Sequence, residues 1–164
     1  MKKILYFLLA SLCISLQSCL YQEDSYFDDS SANRATEDVE RCNELLMNAP
    51  NGWKLEYYAG KNYSMGGITL LCQFDGKNVK IMSEIGSLNA KPGAEATSLY
   101  KVVSEQSTLL TFDTFNELIH CFSEPILKQN SNFQGDYEFA IMSASENEII
   151  LQGKKYQNKM VMTP

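Results

Sequence analysis

Two periods divide the chain. From about Ala32 to Asn48 the apolar positions Ala35, Val39, Cys42, Leu46 and Ala49 recur at intervals of four and three, with Arg34, Glu37, Asp38, Glu40, Arg41 and Glu44 between them. This spacing gathers the apolar set on one face and predicts an amphipathic helix. Ser30 or Ser31 can cap its start, and Pro50 with Gly52 stops it. After Gly52 the period becomes two: Trp53, Leu55 and Tyr57 alternate with Lys54, Glu56 and Tyr58, and Ile68, Leu70, Cys72 and Phe74 with Thr69, Leu71 and Gln73. Val79 and Ile81 continue the pattern beyond Asp75-Gly76-Lys77-Asn78, which reads as a tight hairpin turn.

Further strands are predicted at about Leu99 to Val103, Thr108 to Phe112, Tyr137 to Ser143, Glu148 to Gln152 and Lys159 to Met162. Most of their connections are short, which implies sequential antiparallel pairing. The expected architecture is a mainly β (α+β) domain: an antiparallel meander of about eight strands curling into a barrel or half-barrel. Two interruptions are expected. Ile85 to Thr97, with Gly86, Pro92 and Gly93, has no periodicity and reads as a loop. Phe115, Leu118, Ile119 and Phe122 share one face of a short inserted helix, with Asp113 or Thr114 as cap, Thr114 and Glu117 as a capping box, and Pro125 as its end.

The first residues follow neither period. Lys2-Lys3, an apolar run from Ile4 to Leu16, and Leu16-Gln17-Ser18-Cys19 have the three parts of a secretory signal. The run is shorter than the roughly 18 to 20 residues a spanning helix needs. Residues 1–18 are therefore read as a lipoprotein signal peptide, Cys19 as the lipidated mature N-terminus, 19–31 as an acidic tether and 32–164 as a single domain. The expected attachment is to a membrane through the lipid on Cys19.

Charge narrows the partners. The chain carries 14 basic and 20 acidic residues, a net charge of −6. Loss of residues 1–18 takes Lys2 and Lys3 with it and leaves 12 basic against 20 acidic, or −8. Such a body repels phosphate backbones, so no nucleic-acid partner is expected. With Cys13 in the signal and Cys19 acylated, Cys42, Cys72 and Cys121 keep thiols. Their spacing matches no zinc or redox motif, and buried unpaired thiols are the preferred reading over a disulfide.

Candidate chemistry is sparse. His120 is the one histidine and sits beside Cys121, but helix neighbours point about 100° apart. His120 also lies off the predicted apolar stripe, so it is expected to face water or bond the turn. Asp136 and Glu138 flank Tyr137 and would share one strand face, an arrangement open to general acid and base work but equally to a solvated face. Asp28, Asp29 and the Asp75-Gly76 turn offer oxygen ligands without a calcium-loop pattern, so neither a metal nor a cofactor is assigned. Gly66-Gly67 suggests a bulge or a close approach of strands. Tyr57, Tyr58 and Tyr63 are the candidate ligand-binding residues, because Tyr57 and Tyr58 point to opposite faces and at least one ring should be exposed.

Phe27-Asp28-Asp29-Ser30-Ser31-Ala32-Asn33-Arg34 and Ala49-Pro50-Asn51-Gly52-Trp53 open an ordered series. Gly66-Gly67, Phe74-Asp75-Gly76, Leu110-Thr111-Phe112-Asp113-Thr114-Phe115-Asn116, His120, Gly135-Asp136-Tyr137-Glu138-Phe139 and Leu151-Gln152-Gly153-Lys154-Lys155 continue it. The series resembles the lipoprotein family catalogued as domain of unknown function 4302, found in Gram-negative anaerobes of the gut type. The resemblance implies an outer-membrane lipoprotein and brings no catalytic residues. Against that family a chain ending at Met162-Thr163-Pro164 looks C-terminally short, which would leave the last strand without a partner. Asn51-Gly52-Trp53 bears a weaker likeness to lipocalin-like barrels, although no arginine follows Arg41 to pack on the tryptophan. Gln22-Glu23-Asp24 resembles an acidic signal that carries such lipoproteins to the cell exterior, so surface display is expected over a periplasm-facing body.

Three functions fit this reading. The first is a cell-envelope binding module for a glycan or an envelope protein, without enzyme activity. The second is a glycan hydrolase using Asp136 and Glu138. The third is a carrier with a small apolar ligand inside the barrel.

Overall fold

The computed structural model describes residues 30–85, 90–123 and 133–164. The signal peptide, Cys19 and most of the tether lie outside the described residues, as does Pro125. Helix α1 (Ser31–Met47) is followed by β1 (Trp53–Tyr58), a 3-10 turn (Lys61–Tyr63), β2 (Gly67–Phe74) and β3 (Asn78–Ser83). Then come β4 (Glu95–Leu99), β5 (Lys101–Ser104), β6 (Thr108–Thr111), a one-turn helix α2 (Glu117–His120), β7 (Glu138–Ala144), β8 (Ile149–Gly153) and β9 (Lys159–Thr163).

The strands form one nine-stranded sheet in the order β4-β3-β2-β1-β9-β8-β7-β6-β5. Every pairing is antiparallel. The meander curls into a nearly closed barrel, and the residue that closes it is Tyr100. β4 and β5 are two halves of one bent strand separated by Tyr100; β4 pairs with β3 and β5 with β6. At the bend the Tyr100 N–H donates to Lys77 O at 3.2 Å, while the Asp113 N–H donates to Leu99 O at 3.0 Å. The two ends of the sheet thus meet at one point.

Each half of the bent strand leaves an edge unpaired, and a helix lies by each. Helix α1 packs on β5, β6 and β2, burying Cys42 and Leu46. Polar contacts fix it: the Trp53 Nε1–H donates to Leu46 O at 2.9 Å, the Tyr100 hydroxyl bonds Asn43 Oδ1 at 2.7 Å, and the Thr108 hydroxyl bonds the Asp38 carboxylate. Helix α2 packs on β3 and β4, with Asn116 Nδ2 donating to Ser98 Oγ at 3.1 Å. Covering edges in this way removes unpaired strand groups from solvent.

Period-two burial is clean where both faces matter. β2 alternates from Gly67 to Phe74, with Ile68, Leu70, Cys72 and Phe74 inward. Large side chains fill the interior, among them Tyr57, Leu70, Ile81, Phe112, Phe139, Leu151 and Met160, all at most 1 % exposed. A β-bulge between Ile141 and Ser143 puts Met142 at 60 % exposure.

Two expectations need correction here. Glu95–Thr97, read as the end of a loop, belongs with Ser98 and Leu99 to strand β4; its inward positions are Ala96 and Ser98, too small or polar to register as an apolar alternation. β9 lies between β1 and β8. Helix α2 begins later than its apolar spacing suggested. Its N-cap is Asn116, whose Oδ1 accepts from the Leu118 N–H at 3.0 Å. Thr114 instead accepts from the Leu99 N–H at 2.9 Å, and Asp113 pairs with Lys101 at 2.8 Å.

Candidate binding site

The antiparallel register places the end of β1, the starts of β2, β7 and β9 and helix α2 at the barrel end opposite α1. Among the described residues this end carries the exposed large aromatic side chains: Tyr63 at 53 %, Phe115 at 62 % and Tyr137 at 42 %.

Of the three candidate tyrosines, Tyr57 is not a surface residue. It is fully buried, its ring meets Phe122 and Phe139 edge-on, and its hydroxyl lies 2.8 Å from Asp136 O and 3.1 Å from Asn158 Oδ1. Burial, reinforced by the Asp136 charge, pushes its phenol well above the ordinary range. It is a core residue with a satisfied polar tip. Tyr58 and Tyr63 do form a surface corner, with ring centroids 6.2 Å apart and planes at 73°. Tyr58 lies across Gly67, its cross-strand partner, where an added Cβ would sit 3.0 Å from the ring. Gly67 is thus a close approach of a ring to the backbone.

A second aromatic group was not foreseen as one. The His120 ring stacks on Tyr137 with centroids 4.8 Å apart and planes at 26°, and meets Phe115 at 5.5 Å and 42°. His120, expected to face water or bond the turn, does the second; it is 9 % exposed, with the two neighbouring rings against it. Its Nδ1 lies 3.1 Å from the Asn116 N–H. Phe115, expected on the inward stripe, points out instead; it precedes the Asn116 cap and is not part of the helix.

Asp136 and Glu138 do not share a solvated face. Asp136 precedes β7 and is 3 % exposed. Its Oδ1 accepts from the Lys155 N–H at 2.8 Å and the Tyr156 N–H at 3.0 Å, and its Oδ2 from the Asn158 N–H at 3.2 Å. One buried carboxylate thus folds the β8–β9 turn around itself. Asn158 returns the contact through Oδ1, accepting from the Asp136 N–H at 2.8 Å. Glu138 is half-buried and shares Lys154 with Glu105, at 3.8 and 2.8 Å. Together with Ser123, Gly135, Tyr137, Lys155 and Tyr156 the two carboxylates line a small concavity of about 80 Å³ that includes Tyr137 of the Phe115–His120–Tyr137 group. Lys155 Nζ lies 4.7 Å from the Tyr156 ring centroid, a cation–π contact.

Cys42 and Cys72 are free thiols and both are buried, while Cys121 is half-buried. Desolvation pushes Cys72 up to about 12 and raises Cys42. Among the described residues no cluster of three or more histidine, cysteine and carboxylate side chains could hold a metal ion. No described helix is long and apolar enough to cross a membrane.

A small antiparallel meander barrel, filled by its own side chains and bearing exposed aromatics at one end, defines the class of protein. The chain belongs to the family described as Domain of unknown function (DUF4302), whose model matches residues 23–164. No curated protein and no solved structure matches it.

Proposed function

We propose that this chain is a lipid-anchored outer-membrane protein, displayed on the cell surface through Cys19, whose barrel is a non-enzymatic binding module for a glycan or an envelope protein. The observation that carries the binding part is the concentration of exposed rings, Tyr63, Phe115 and Tyr137, at one end of the barrel. Exposed aromatics gathered beside a concavity are a common mark of a binding surface. The anchoring part rests on the order of Lys2-Lys3, the apolar run and Ser18-Cys19.

The two rival readings have less support. A hydrolase would need Asp136 free to exchange a proton or attack a sugar, but both its oxygens accept backbone N–H groups. A carrier would need a chamber, and the inward positions are occupied by large side chains such as Tyr57 and Phe112.

The test of the anchor is metabolic labelling with radiolabelled palmitate. Label on the wild-type chain and its loss in Cys19→Ser is the expected result. Persistent label in Cys19→Ser overturns it.

A further inference from the structure

Phe115 is costly where it stands. Leaving a large apolar side chain in water forgoes about 1.5 to 3 kcal/mol relative to burial, yet the backbone on both sides of Phe115 is tied by hydrogen bonds. Asp113 and Thr114 both donate to Leu99 O, at 3.0 and 3.5 Å, Thr114 Oγ1 accepts from Leu99, and Asn116 caps α2. His120, itself covered, braces both Phe115 and Tyr137. The two rings are therefore presented in a fixed arrangement, which lowers the ordering entropy lost on binding.

Resting on the binding-module reading, we propose that Phe115 and Tyr137 form the stacking ledge of a binding site for a neutral pyranose oligosaccharide. Size comes first. An aromatic side chain offers about 150 to 250 Å². At 62 % and 42 % exposure the two side chains, each against His120, together present on the order of 200 Å². That matches the apolar faces of one or two sugar rings and falls far short of the roughly 800 Å² per partner of a standard protein interface. Its surroundings are charged, with Glu138, Lys154 and Lys155 by Tyr137 and the Lys101–Asp113 ion pair two residues before Phe115, whereas protein interfaces deplete charge at the centre. The adjoining concavity supplies what a sugar edge needs: the Glu138 carboxylate as acceptor and the Lys155 ammonium as donor.

Charge then selects the neutral class. Asp136 is saturated by backbone N–H groups and Glu138 is paired with Lys154, so the site has little unbalanced positive charge. No arginine follows Arg41, so this end of the barrel has no guanidinium fork to clamp a uronate or a sulfate.

The test is titration calorimetry on the full chain in detergent, with maltohexaose, cellohexaose, chitohexaose, mannohexaose and a galacturonate hexamer as probes. Wild type, Phe115→Ala, Tyr137→Ala and Tyr63→Ala are compared, with melting temperatures as a control. The expected result is binding of a neutral hexasaccharide that weakens about tenfold or more in Phe115→Ala at an unchanged melting temperature, while Tyr63→Ala binds as wild type. Binding insensitive to both ledge substitutions overturns the ledge and leaves the module reading standing. Preference for the galacturonate hexamer overturns the neutral class. If no saccharide binds but a photo-cross-linker at position 115 captures an envelope protein in cells, the ledge is a protein-docking surface and the glycan assignment is wrong. Should neither saccharide nor protein be bound, the module reading itself fails.

Discussion

The Asp136 carboxylate occupies the space that a side chain at position 153 would need: a Cβ built on Gly153 would collide with it. Gly153 ends β8 and opens the turn whose N–H groups at Lys155, Tyr156 and Asn158 converge on that carboxylate. The pairing of a bare glycine with a buried acid is a structural device that fixes one turn. Gly153→Ala is predicted to lower stability by about 1 to 3 kcal/mol, the range for overpacking a filled site. Asp136→Ala should lose more, about 3 kcal/mol, because buried N–H donors are left without acceptors. Urea denaturation checks both, and an unchanged midpoint in either contradicts the account.

Trp53 joins the helix to the barrel. It is 2 % exposed and its indole N–H satisfies Leu46 O, a carbonyl in the last turn of α1. Trp53→Ala is expected to lose about 3 to 5 kcal/mol. Trp53→Phe should lose about 1 to 2 kcal/mol, chiefly the buried hydrogen bond. If Trp53→Ala keeps its melting temperature, the residue is not the core anchor described.

Acid should loosen the docking of α1. The Thr108 hydroxyl first, and Arg41 beside it at 2.6 Å, hold the Asp38 carboxyl below its ordinary 3.8. In acid the unfolded chain takes up this proton before the folded one does. The contribution is therefore complete above 3.8 and is lost as pH falls below it through the folded value. Asp38→Asn is predicted to flatten the acid limb of a stability-versus-pH curve relative to wild type. Parallel acid limbs for the two proteins would show that Asp38 contributes nothing.

Much of this fold could be read from the chain because its strands obey one rule. Ile68 to Phe74 and Trp53 to Tyr57 alternate large apolar with polar residues, and both became strands with the expected inward face. Strand β4 was hidden because Ala96 and Ser98 carry no apolar signal; its existence depends on Tyr100 bending the chain between two sheet edges. The site was harder. Helical spacing placed Phe115 with Leu118 and Ile119, but Asn116 intercepts the Leu118 N–H and starts the helix beyond it. The bond from His120 to its own turn was legible in the chain, but nothing local announces that Tyr137, remote in sequence, will stack on the ring. Asp136 looked like a strand carboxylate because its partners at Lys155 to Asn158 are remote in sequence.

Display on the cell exterior is what would bring the exposed aromatic end to a ligand, and protease shaving of intact cells tests it most directly. The wild-type body should be degraded by added protease. A variant with Glu23→Ala and Asp24→Ala should keep its palmitate and become protected. If the wild-type protein resists the protease while a known surface lipoprotein on the same cells is shaved, the body faces the periplasm and the account is contradicted.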